Sequence, residues 1–488
     1  MNFKEETMAN KVIVNSAPNL SDAARRKREP IEFIREKLVI PSSLRLFAQN
    51  KKYYIRTYGC QANVLDGQTI EGILQEVGYE TTEDPREADV IILNTCAVRE
   101  NAEDKVFGEI GSLKALKNAN PNLIIGICGC MTQQPHIVDK IKTTYPQVDI
   151  IFGTHNINHL PQLINEAITK KVRVIEVYSK EGEVIENLPT YRLDKVKAFV
   201  NIMYGCDKFC TYCIVPYTRG KQRSRTEEDV IKECKELVEQ GYQEITLLGQ
   251  NVNAYGKDLK DGTSFAHLME EVAKLGIPRL RFTTSHPWDF SDEMFEVIAK
   301  YPNVMPFIHL PLQSGSDEVL KRMGRRYTSK EYMALVDRLR SIIPNVSIST
   351  DIIVGFPNET DEDFERTLDV VKYVKYDSAF TFIYSPRVGT PAAKIVDNVT
   401  DETKHIRFDR LIKTLAVYEK EKSDAYVGKT VPVLVEGFSK KDESILTGYT
   451  DTNKLVNFKG DEKSIGKIVN VKVSEATTYY LKGEQVND

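Results

Sequence analysis

Residues 198–213 read AFVNIMYGCDKFCTYC, a β-forming apolar run that leads directly into a loop with three cysteines. Cys206, Cys210 and Cys213 have the spacing C-x3-C-x2-C. Three thiolates on one short loop suit iron–sulfur or zinc chemistry, although zinc sites usually take four ligands and commonly begin with C-x2-C. We therefore predict a cubane iron–sulfur cluster with one open iron, and structural zinc is the alternative.

The segments around this loop alternate between strand-forming and helix-forming patterns. The β-rich runs are AFVNIMY (198–204), EITLLGQ (244–250), RLRFTTS (279–285), PFIHLPL (306–312), VSISTDI (346–352) and SAFTFIY (378–384). Six β/α units in a row predict a partial (β/α)6 barrel over residues 191–427, with its functional residues at the carboxyl ends of the strands.

A second group of cysteines lies in an earlier β/α segment, residues 51–190. Its continuous apolar runs, such as DVIILNT (89–95) and LIIGICG (123–129), predict a doubly wound parallel sheet. Cys60, Cys96 and Cys130 each follow one strand, and the carboxyl ends of parallel strands share a crevice. We expect these three to hold a second cluster. Cys128 competes with Cys130, but it lies within the apolar run and should point into the core.

The two ends of the chain differ from these segments. Residues 1–50 are polar and charged, and we expect a partly flexible extension. Residues 401–427 predict a charged helix. Residues 428–488 contain short β runs separated by Gly and Asx turns, which predicts a small all-β barrel.

Composition excludes several classes of protein. The 488 residues are 41% hydrophobic and 28% charged, and no apolar run approaches the roughly 20 residues that span a bilayer. We expect a cytoplasmic protein with no membrane contact. The net charge of −4 does not indicate nucleic-acid binding, but the stretch TRGKQRSR (218–225) is a local basic patch. Cysteines in such a chain favour metal or redox roles over disulfides.

Several motifs together resemble a known family. The C-x3-C-x2-C loop after the first strand of a six-unit β/α domain is similar to the radical S-adenosylmethionine (radical SAM) superfamily. The chain resembles the radical SAM methylthiotransferases over about residues 51–487. Motifs that carry this resemblance are YGCQAN (58–63), LNTCAVRE (93–100), GCMTQQ (129–134), CIVPYTRGKQRSR (213–225), HLPLQSGS (309–316) and STDIIVGFPNETDEDF (349–364).

The resemblance implies an α/β fold with three parts and two cofactor types. The parts are a doubly wound N-terminal domain, a partial (β/α)6 radical SAM core and a C-terminal TRAM-like barrel. The cofactors are two 4Fe-4S clusters, one on each cysteine triplet, and SAM. The expected SAM contacts are Tyr212, Gly249, Gln250, Asn251, Ser285, His286, Gln313, Asp351, Val354 and Phe356. The expected RNA contacts are Arg219, Lys221, Arg223 and Arg225.

Within the family, three stretches resemble the branch that acts on isopentenyladenosine in tRNA. They are CIVPYTRGKQRSR, LLGQNVNAYG (247–256) and TTSHPWDFSDE (283–293). This branch implies that one SAM methylates a sulfur at the second cluster while another is cleaved to a radical. The radical removes hydrogen from carbon 2 of an adenine, which must be splayed from its stack.

The implied partners are a tRNA anticodon stem-loop, an electron donor of the flavodoxin or ferredoxin type and a sulfur donor that the sequence does not identify. We expect a monomer. Two other functions remain open at this point. One is methylthiolation of threonylcarbamoyladenosine or of a ribosomal protein, and the other is a non-catalytic iron–sulfur or zinc RNA-binding protein.

Overall fold

The computed structural model describes residues 12–23, 31–35, 38–97, 100–179 and 183–486, which divide into two compact units. The first unit comprises the described residues up to Leu193 together with Tyr204–Lys208 and Ile214–Arg223. The second comprises Asp194–Met203, Phe209–Cys213 and the described residues from Ser224 onward.

The first unit is built on a parallel sheet. Strands in this part of the chain are β1 (Val12–Ser16), β2 (Phe33–Ile34), β3 (Lys52–Thr57), β4 (Glu80–Thr81), β5 (Val90–Thr95), β6 (Ile124–Gly129), β7 (Ile150–Phe152), β8 (Arg173–Glu176) and β9 (Val184–Ile185). Helices are α1 (Leu20–Ala23), α2 (Ser42–Ala48), α3 (Gln61–Val77), α4 (Glu100–Ala119), α5 (Pro135–Thr144) and α6 (Leu160–Lys170). The strand order is β1-β8-β7-β6-β5-β3-β4, with every neighbour parallel.

Helices cover both faces of this sheet, as its continuous apolar strands require. Val90 and Ile92 of β5 pack in one cluster with side chains of α3 and α6. Ile91 and Leu93 point the other way, into a cluster with side chains of α4 and α5. The alternation of β-strand side chains therefore supplies both cores from one run of residues, and the predicted doubly wound architecture is confirmed.

The described part of the predicted N-terminal extension contributes to this sheet. Strand β1 pairs in parallel with β8 at the sheet edge, and Asn15 donates to Glu176 at 3.1 Å. Residues 1–11 and 24–30 lie outside the described residues. The sequence did not predict this strand because a five-residue edge strand with partly exposed side chains carries little apolar periodicity.

The second unit contains the six strands that the sequence predicted. Strands in the middle of the chain are β10 (Lys197–Asn201), β11 (Met203–Tyr204), β12 (Arg223–Ser224), β13 (Glu244–Leu248), β14 (Arg279–Phe282), β15 (Phe307–His309), β16 (Ser347–Val354) and β17 (Ser378–Ile383). Helices are α7 (Val215–Thr218), α8 (Glu227–Glu239), α9 (Phe265–Lys274), α10 (Asp292–Lys300), α11 (Asp317–Arg322), α12 (Ser329–Ile342) and α13 (Asp361–Val374).

Six of these strands form two parallel halves, β10-β13-β14 and β15-β16-β17. Strands β11 and β12 form a separate two-stranded sheet, and α7 belongs to the first unit. A parallel bridge between Leu280 and Val304 continues the array from the first half toward the second. Side-chain caps fix where several helices begin. Thr328 and Thr360 each form a capping box with the residue three positions later, which satisfies amide groups that a helix leaves unpaired. The predicted partial barrel is confirmed.

A long helix and a small barrel complete the second unit. The helix α14 (Asp401–Asp424) is followed by β18 (Thr430–Ser439), β19 (Asp442–Thr450), β20 (Leu455–Lys459), β21 (Ile468–Ala476) and β22 (Tyr480–Gln485). The strands close in the order β18-β19-β20-β22-β21 around an apolar core, as the sequence predicted. Across the described residues, each helix is too short or too polar to cross a bilayer.

Two buried arginines of β14 hold this barrel against the core of the second unit. Arg279 donates to the carbonyls of Tyr449 at 2.7 Å and Pro432 at 3.0 Å. Arg281 donates to the carbonyl of Thr450 at 2.8 Å and also pairs with Glu244. Charged donors make strong hydrogen bonds, and their loss leaves buried carbonyls unpaired. The barrel is therefore fastened through its backbone.

We predict that Arg279→Met weakens this attachment by about 2 kcal/mol, because two carbonyl oxygens lose a charged donor. Hydrogen exchange of β18 and β19 amides should accelerate roughly 30-fold, the factor that this energy corresponds to. Arg338→Met removes an exposed arginine that pairs with Asp292 and serves as the control. Equal exchange rates in the two variants would contradict the prediction.

Candidate iron–sulfur and cofactor sites

Three cysteines of the first unit lie at one edge of its sheet. Cys60 follows β3 and caps α3, Cys96 follows β5, and Cys130 follows β6. Because β3, β5 and β6 are parallel neighbours, their carboxyl ends meet. Cys60 is exposed, whereas Cys96 and Cys130 are buried. The predicted gathering of these residues at one edge agrees with the structure.

Two glycines allow the backbone to pass between the cysteines. Gly59 has φ +123°, and a Cβ at this position would lie 2.6 Å from Cβ of Cys96. Gly129 has φ +98°, and its Cβ would lie 2.2 Å from the carbonyl oxygen of Thr95. Both glycines combine a left-handed conformation with a close approach that only glycine tolerates. They set how near the three loops come to each other.

A single amide side chain, Asn63, links the three loops. Its Oδ1 lies 3.5 Å from Sγ of Cys60 and 4.0 Å from Sγ of Cys130. Its Nδ2 donates to the carbonyl of Thr95, directly before Cys96, at 2.9 Å. Asn63 is buried on the first turn of α3. It therefore fixes the relative positions of the cysteines from within.

Cys128 and Cys130 have different surroundings, although both are buried. Cys128 packs in the apolar cluster beneath α3 and α6. Cys130 lies next to Ala97 and the segment after residue 213, with Asn63 within 4.0 Å. Burial raises the pKa of the Cys130 thiol to about 12, and Arg219 opposes this shift. A bound metal would therefore have to supply the charge that keeps this sulfur a thiolate.

Arg219 reaches the same sulfur from the segment that follows α7. Its Nε donates to Sγ of Cys130 at 3.2 Å, and its Nη2 lies 3.4 Å from Oδ1 of Asn63. Its guanidinium also pairs with the carboxylate of Asp66 on α3. Burial alone would lower the pKa of Arg219, but Asp66 and the thiols raise it well above the usual value. The arginine therefore carries a full charge beside the cysteines.

The basic stretch that we assigned to RNA lies in the interior. The exposed fractions of Arg219, Lys221, Arg223 and Arg225 are 7%, 3%, 6% and 8%. Arg225 pairs with Glu233 at 2.6 Å, and the guanidinium of Arg223 lies over the ring of Tyr204. Phosphate groups of RNA need cations that reach the surface. This placement does not support the predicted RNA contacts, since sequence alone could not tell an internal basic run from a surface one.

Backbone contacts pin the first cysteine of the C-x3-C-x2-C loop. The amide of Cys206 donates to the carbonyl of Gly220 at 3.1 Å, and Asp207 accepts from the amide of Gln222 at 3.2 Å. Lys221 lies between these two anchors. Its Nζ is buried and has no hydrogen-bond partner among the described residues. A buried ammonium group of this kind requires an anion, which an iron–sulfur cluster with thiolate ligands would provide.

The other two cysteines of the loop belong to the second unit. The amide of Cys213 donates to the carbonyl of Cys210 at 2.9 Å, which closes a tight turn. The backbone amide of Thr211 donates to the carbonyl of Met323 at 2.9 Å, and its hydroxyl donates to the carbonyl of Arg322 at 2.8 Å. The loop is therefore fastened to the carboxyl end of α11. This anchoring holds both thiols in fixed positions.

Arg325 is a buried cation beside these thiols. Burial would lower its pKa, but Tyr212 and the thiols of Cys210 and Cys213 raise it above the usual value. Its Nε has no hydrogen-bond partner in the described part of the chain. The buried guanidinium of Arg325 beside the thiols of Cys210 and Cys213 fits an anionic iron–sulfur cluster. Among the described residues, no three His, Cys, Asp or Glu side chains are arranged to bind one metal ion. The cysteine ligands of a cubane cluster, however, each bind a different iron.

Eight of the ten predicted SAM contacts lie at or just after the carboxyl ends of strands in the second unit, whereas Asp351 is within β16 and Tyr212 is in the cysteine loop. Asn251 follows β13 and donates from Nδ2 to Asp289 at 2.8 Å. Its Oδ1 is buried and accepts no hydrogen bond from the described residues. Asp351 lies on β16, where Nε2 of His309 is 3.3 Å from its carboxylate. Asn251 and Asp351 are thus polar groups with capacity for a ligand.

Other predicted contacts have packing or backbone roles in the structure. The side chains of Val354 and Phe356 are buried in apolar clusters, and the ring of Tyr212 packs edge-on against Phe356. Gly249 lies where a Cβ would be 2.5 Å from Met203. Gln250 is half-buried, and the hydroxyl of Ser285 donates to the carbonyl of His309. The ring of His286 packs edge-on against Tyr327. The backbone of Gln313 forms a parallel β-bridge with Ile352.

Sequence reasoning missed three residues of these sites. Asn63 and Asp66 follow Cys60 at helical spacing, so the motif could have indicated one face of α3. Arg325 lies in the basic run KRMGRR (321–326), which resembles a solvated surface patch. Its proximity to Cys210 and Cys213 depends on tertiary structure, because more than a hundred residues separate them.

Family models match three parts of the chain. The model described as the radical SAM superfamily matches residues 200–371, and the TRAM domain matches residues 424–486. The model described as the uncharacterized protein family UPF0004 matches residues 52–153. These matches cover the C-x3-C-x2-C loop, the C-terminal barrel and the sheet that carries Cys60, Cys96 and Cys130.

Among solved structures, the chain is similar to a radical SAM methyltransferase, TsrM, from Kitasatospora setae with cobalamin and a [4Fe-4S] cluster bound. The TM-score is 0.52 at 14% identity, covering 71% of this chain and 77% of that one. At this identity the likeness concerns the fold alone.

Curated relatives are far more similar. The tRNA-2-methylthio-N(6)-dimethylallyladenosine synthase of Staphylococcus epidermidis is 54% identical over 477 residues, covering 97% of this chain and 92% of that protein. The proteins of the same name from Bacillus licheniformis and Bacillus subtilis are each 56% identical over 472 residues, covering 96% of this chain and 92% of theirs. The chain therefore belongs to the family of tRNA-2-methylthio-N(6)-dimethylallyladenosine synthases, which are radical SAM methylthiotransferases.

Proposed function

We propose that the chain methylthiolates carbon 2 of N(6)-isopentenyladenosine at position 37 of tRNA. The observation that carries this proposal is the presence of two cysteine triplets in a chain of this family. One triplet gathers at a sheet edge, with Asn63 between its members. The other has the spacing of radical SAM enzymes. A methylthiotransferase needs both, because it generates a radical and also supplies sulfur.

Each triplet holds one 4Fe-4S cluster in this proposal. Cys206, Cys210 and Cys213 would hold the cluster that supplies the electron for reductive cleavage of SAM, and Cys60, Cys96 and Cys130 would hold the cluster that supplies the sulfur. The protein's own contribution is position and charge. Thr211 anchors the loop on α11, and Arg325 offsets negative charge beside two of its thiols. This support explains why Arg325 is buried beside the loop.

SAM itself is held at the strand ends of the second unit. Oδ1 of Asn251 is the buried acceptor that a SAM amino or hydroxyl group would satisfy. The carboxylate of Asp351 offers a second acceptor on the adjoining half of the barrel. Gly249 brings the backbone close without a side chain. We therefore assign orientation of SAM to these three residues.

The anticodon stem-loop binds the C-terminal barrel. A groove of about 800 Å³ on this barrel is lined by Lys440, Lys441, Lys459 and Lys482, by the aromatic rings of Tyr449 and Tyr480, and by the acidic side chains of Glu436, Asp442 and Glu484. Cations beside aromatic rings suit phosphates and unstacked bases. An electron donor of the flavodoxin or ferredoxin type reduces the clusters. The protein acts as a monomer in the cytoplasm, where its tRNA substrate is found.

The decisive experiment is turnover with the reconstituted protein, SAM and a reductant. We expect 2-methylthio product from tRNA that carries isopentenyladenosine, and at least tenfold less from tRNA without that group. Mass spectrometry of digested nucleosides measures the product, and 5′-deoxyadenosine reports SAM cleavage. Product on threonylcarbamoyladenosine or on a ribosomal protein, with none on isopentenyladenosine, would overturn the proposal.

Iron content tests the cysteine assignment. The reconstituted protein should hold about eight irons, the content of two four-iron clusters. Cys130→Ala should lower this to about four, because one triplet loses a ligand. Cys128→Ala is the matched control, since its side chain is buried two residues away in an apolar cluster, and it should keep about eight. The reverse pattern would move the assignment to Cys128.

Salt dependence of binding tests the barrel groove. The double variant Lys441→Ala, Lys459→Ala should bind tRNA more weakly and reduce the slope of log affinity against log salt by about two, one for each lost phosphate contact. Lys472→Ala removes an exposed lysine of β21 outside the groove and should leave the slope unchanged. A slope equal to that of the wild type in the double variant would exclude the groove.

A further inference from the structure

We propose that Arg219 and Asp66 act as a positioning pair that sets the reduction potential of the cluster on Cys60, Cys96 and Cys130. This inference rests on the proposed function, because it takes Cys130 as a cluster ligand. Arg219 contributes a hydrogen bond and a positive charge to the sulfur. Asp66 holds the guanidinium in place and offsets part of its charge.

The geometry carries the assignment of Arg219. Its Nε donates to Sγ of Cys130 at 3.2 Å, which is within hydrogen-bonding range for sulfur. The side chain is 7% exposed, so water screens this contact weakly. The short helix α7 leads into Arg219. Tyr217 of this helix packs against the buried side chains of Ala97 and Cys130. The guanidinium therefore approaches the sulfur from a fixed backbone.

Asp66 lies on the helix that also carries Cys60 at its cap. Asn63 and Asp66 are three residues apart, so they share one face of α3. Both contact Arg219, through Oδ1 at 3.4 Å and through the paired carboxylate. A buried arginine without a partner would be costly. Asp66 removes that cost, yet it leaves Nε directed at the cysteine.

Hydrogen bonds to cluster sulfurs and nearby net charge are established determinants of iron–sulfur potentials. One-electron reduction by an added reductant makes the cluster more negative. A cation that donates to a ligand sulfur stabilises this state and raises the potential, whereas a nearby carboxylate lowers it. The two members of the pair therefore act in opposite directions on one measurable quantity. Substitution of a residue that only supports the fold would not shift the reduction potential in a direction set by the charge that is removed.

The test uses the full chain with Cys206→Ala, Cys210→Ala and Cys213→Ala, which leaves only the second cluster. Redox titration followed by electron paramagnetic resonance measures its midpoint potential. Arg219→Gln should shift the potential to more negative values, and Arg219→Lys should shift it less because the charge remains. Asp66→Asn should shift it to more positive values. Shifts of the same sign in Arg219→Gln and Asp66→Asn, or no shift in either, would overturn the inference.

Arg173→Gln is the matched control. Arg173 is an equally buried arginine of the same unit, but it donates to the carbonyls of Val148, Lys142 and Tyr145. This variant should leave the potential unchanged. Both variants should keep the iron content of the parent chain, and a potential shift in Arg173→Gln as large as that in Arg219→Gln would contradict the inference. A parent chain that holds no cluster at all would instead refute the proposed function.

Discussion

Three parallel strands end at the same edge of one sheet, and the second cysteine triplet depends on this constraint. Cys60, Cys96 and Cys130 are far apart in sequence, but β3, β5 and β6 are direct neighbours. Gly59 and Gly129 permit the loops to approach, and Asn63 ties them together. Loss of the strand order would therefore separate these three cysteines, even with each of them retained.

Buried positive charge accompanies both groups of thiols. Arg219 contacts Cys130 in the first unit, and Arg325 lies beside Cys210 and Cys213 in the second. A buried guanidinium is unfavourable unless an anion compensates it. Asp66 compensates Arg219 in part, and an anionic cluster on each cysteine triplet would compensate both cations further. The family's two-cluster chemistry and the placement of these arginines thus have one electrostatic explanation.

The positive charge near the cysteine loop differs in exposure from that of the C-terminal barrel. The basic stretch after Cys213 is internal, whereas the lysines of the C-terminal barrel groove line an open surface. Arg279 and Arg281 fasten that barrel by donating to backbone carbonyls, and the buried Lys454 adds a hydrogen bond to the carbonyl of Asp377. Backbone acceptors leave the outward side chains of the barrel available for a ligand.

The sequence by itself determined the six β/α units, the doubly wound sheet, the small barrel and the cysteine patterns, because apolar periodicity and local spacing encode them. It also placed Cys128 in the core, since strand alternation is a local property. Only the tertiary structure decided that TRGKQRSR is internal, that Asp66 pairs with Arg219, and that residues 12–16 complete the sheet. These features depend on contacts between residues distant in sequence. The local sequence around a charged side chain does not show whether that side chain is exposed to water or packed against a buried thiol.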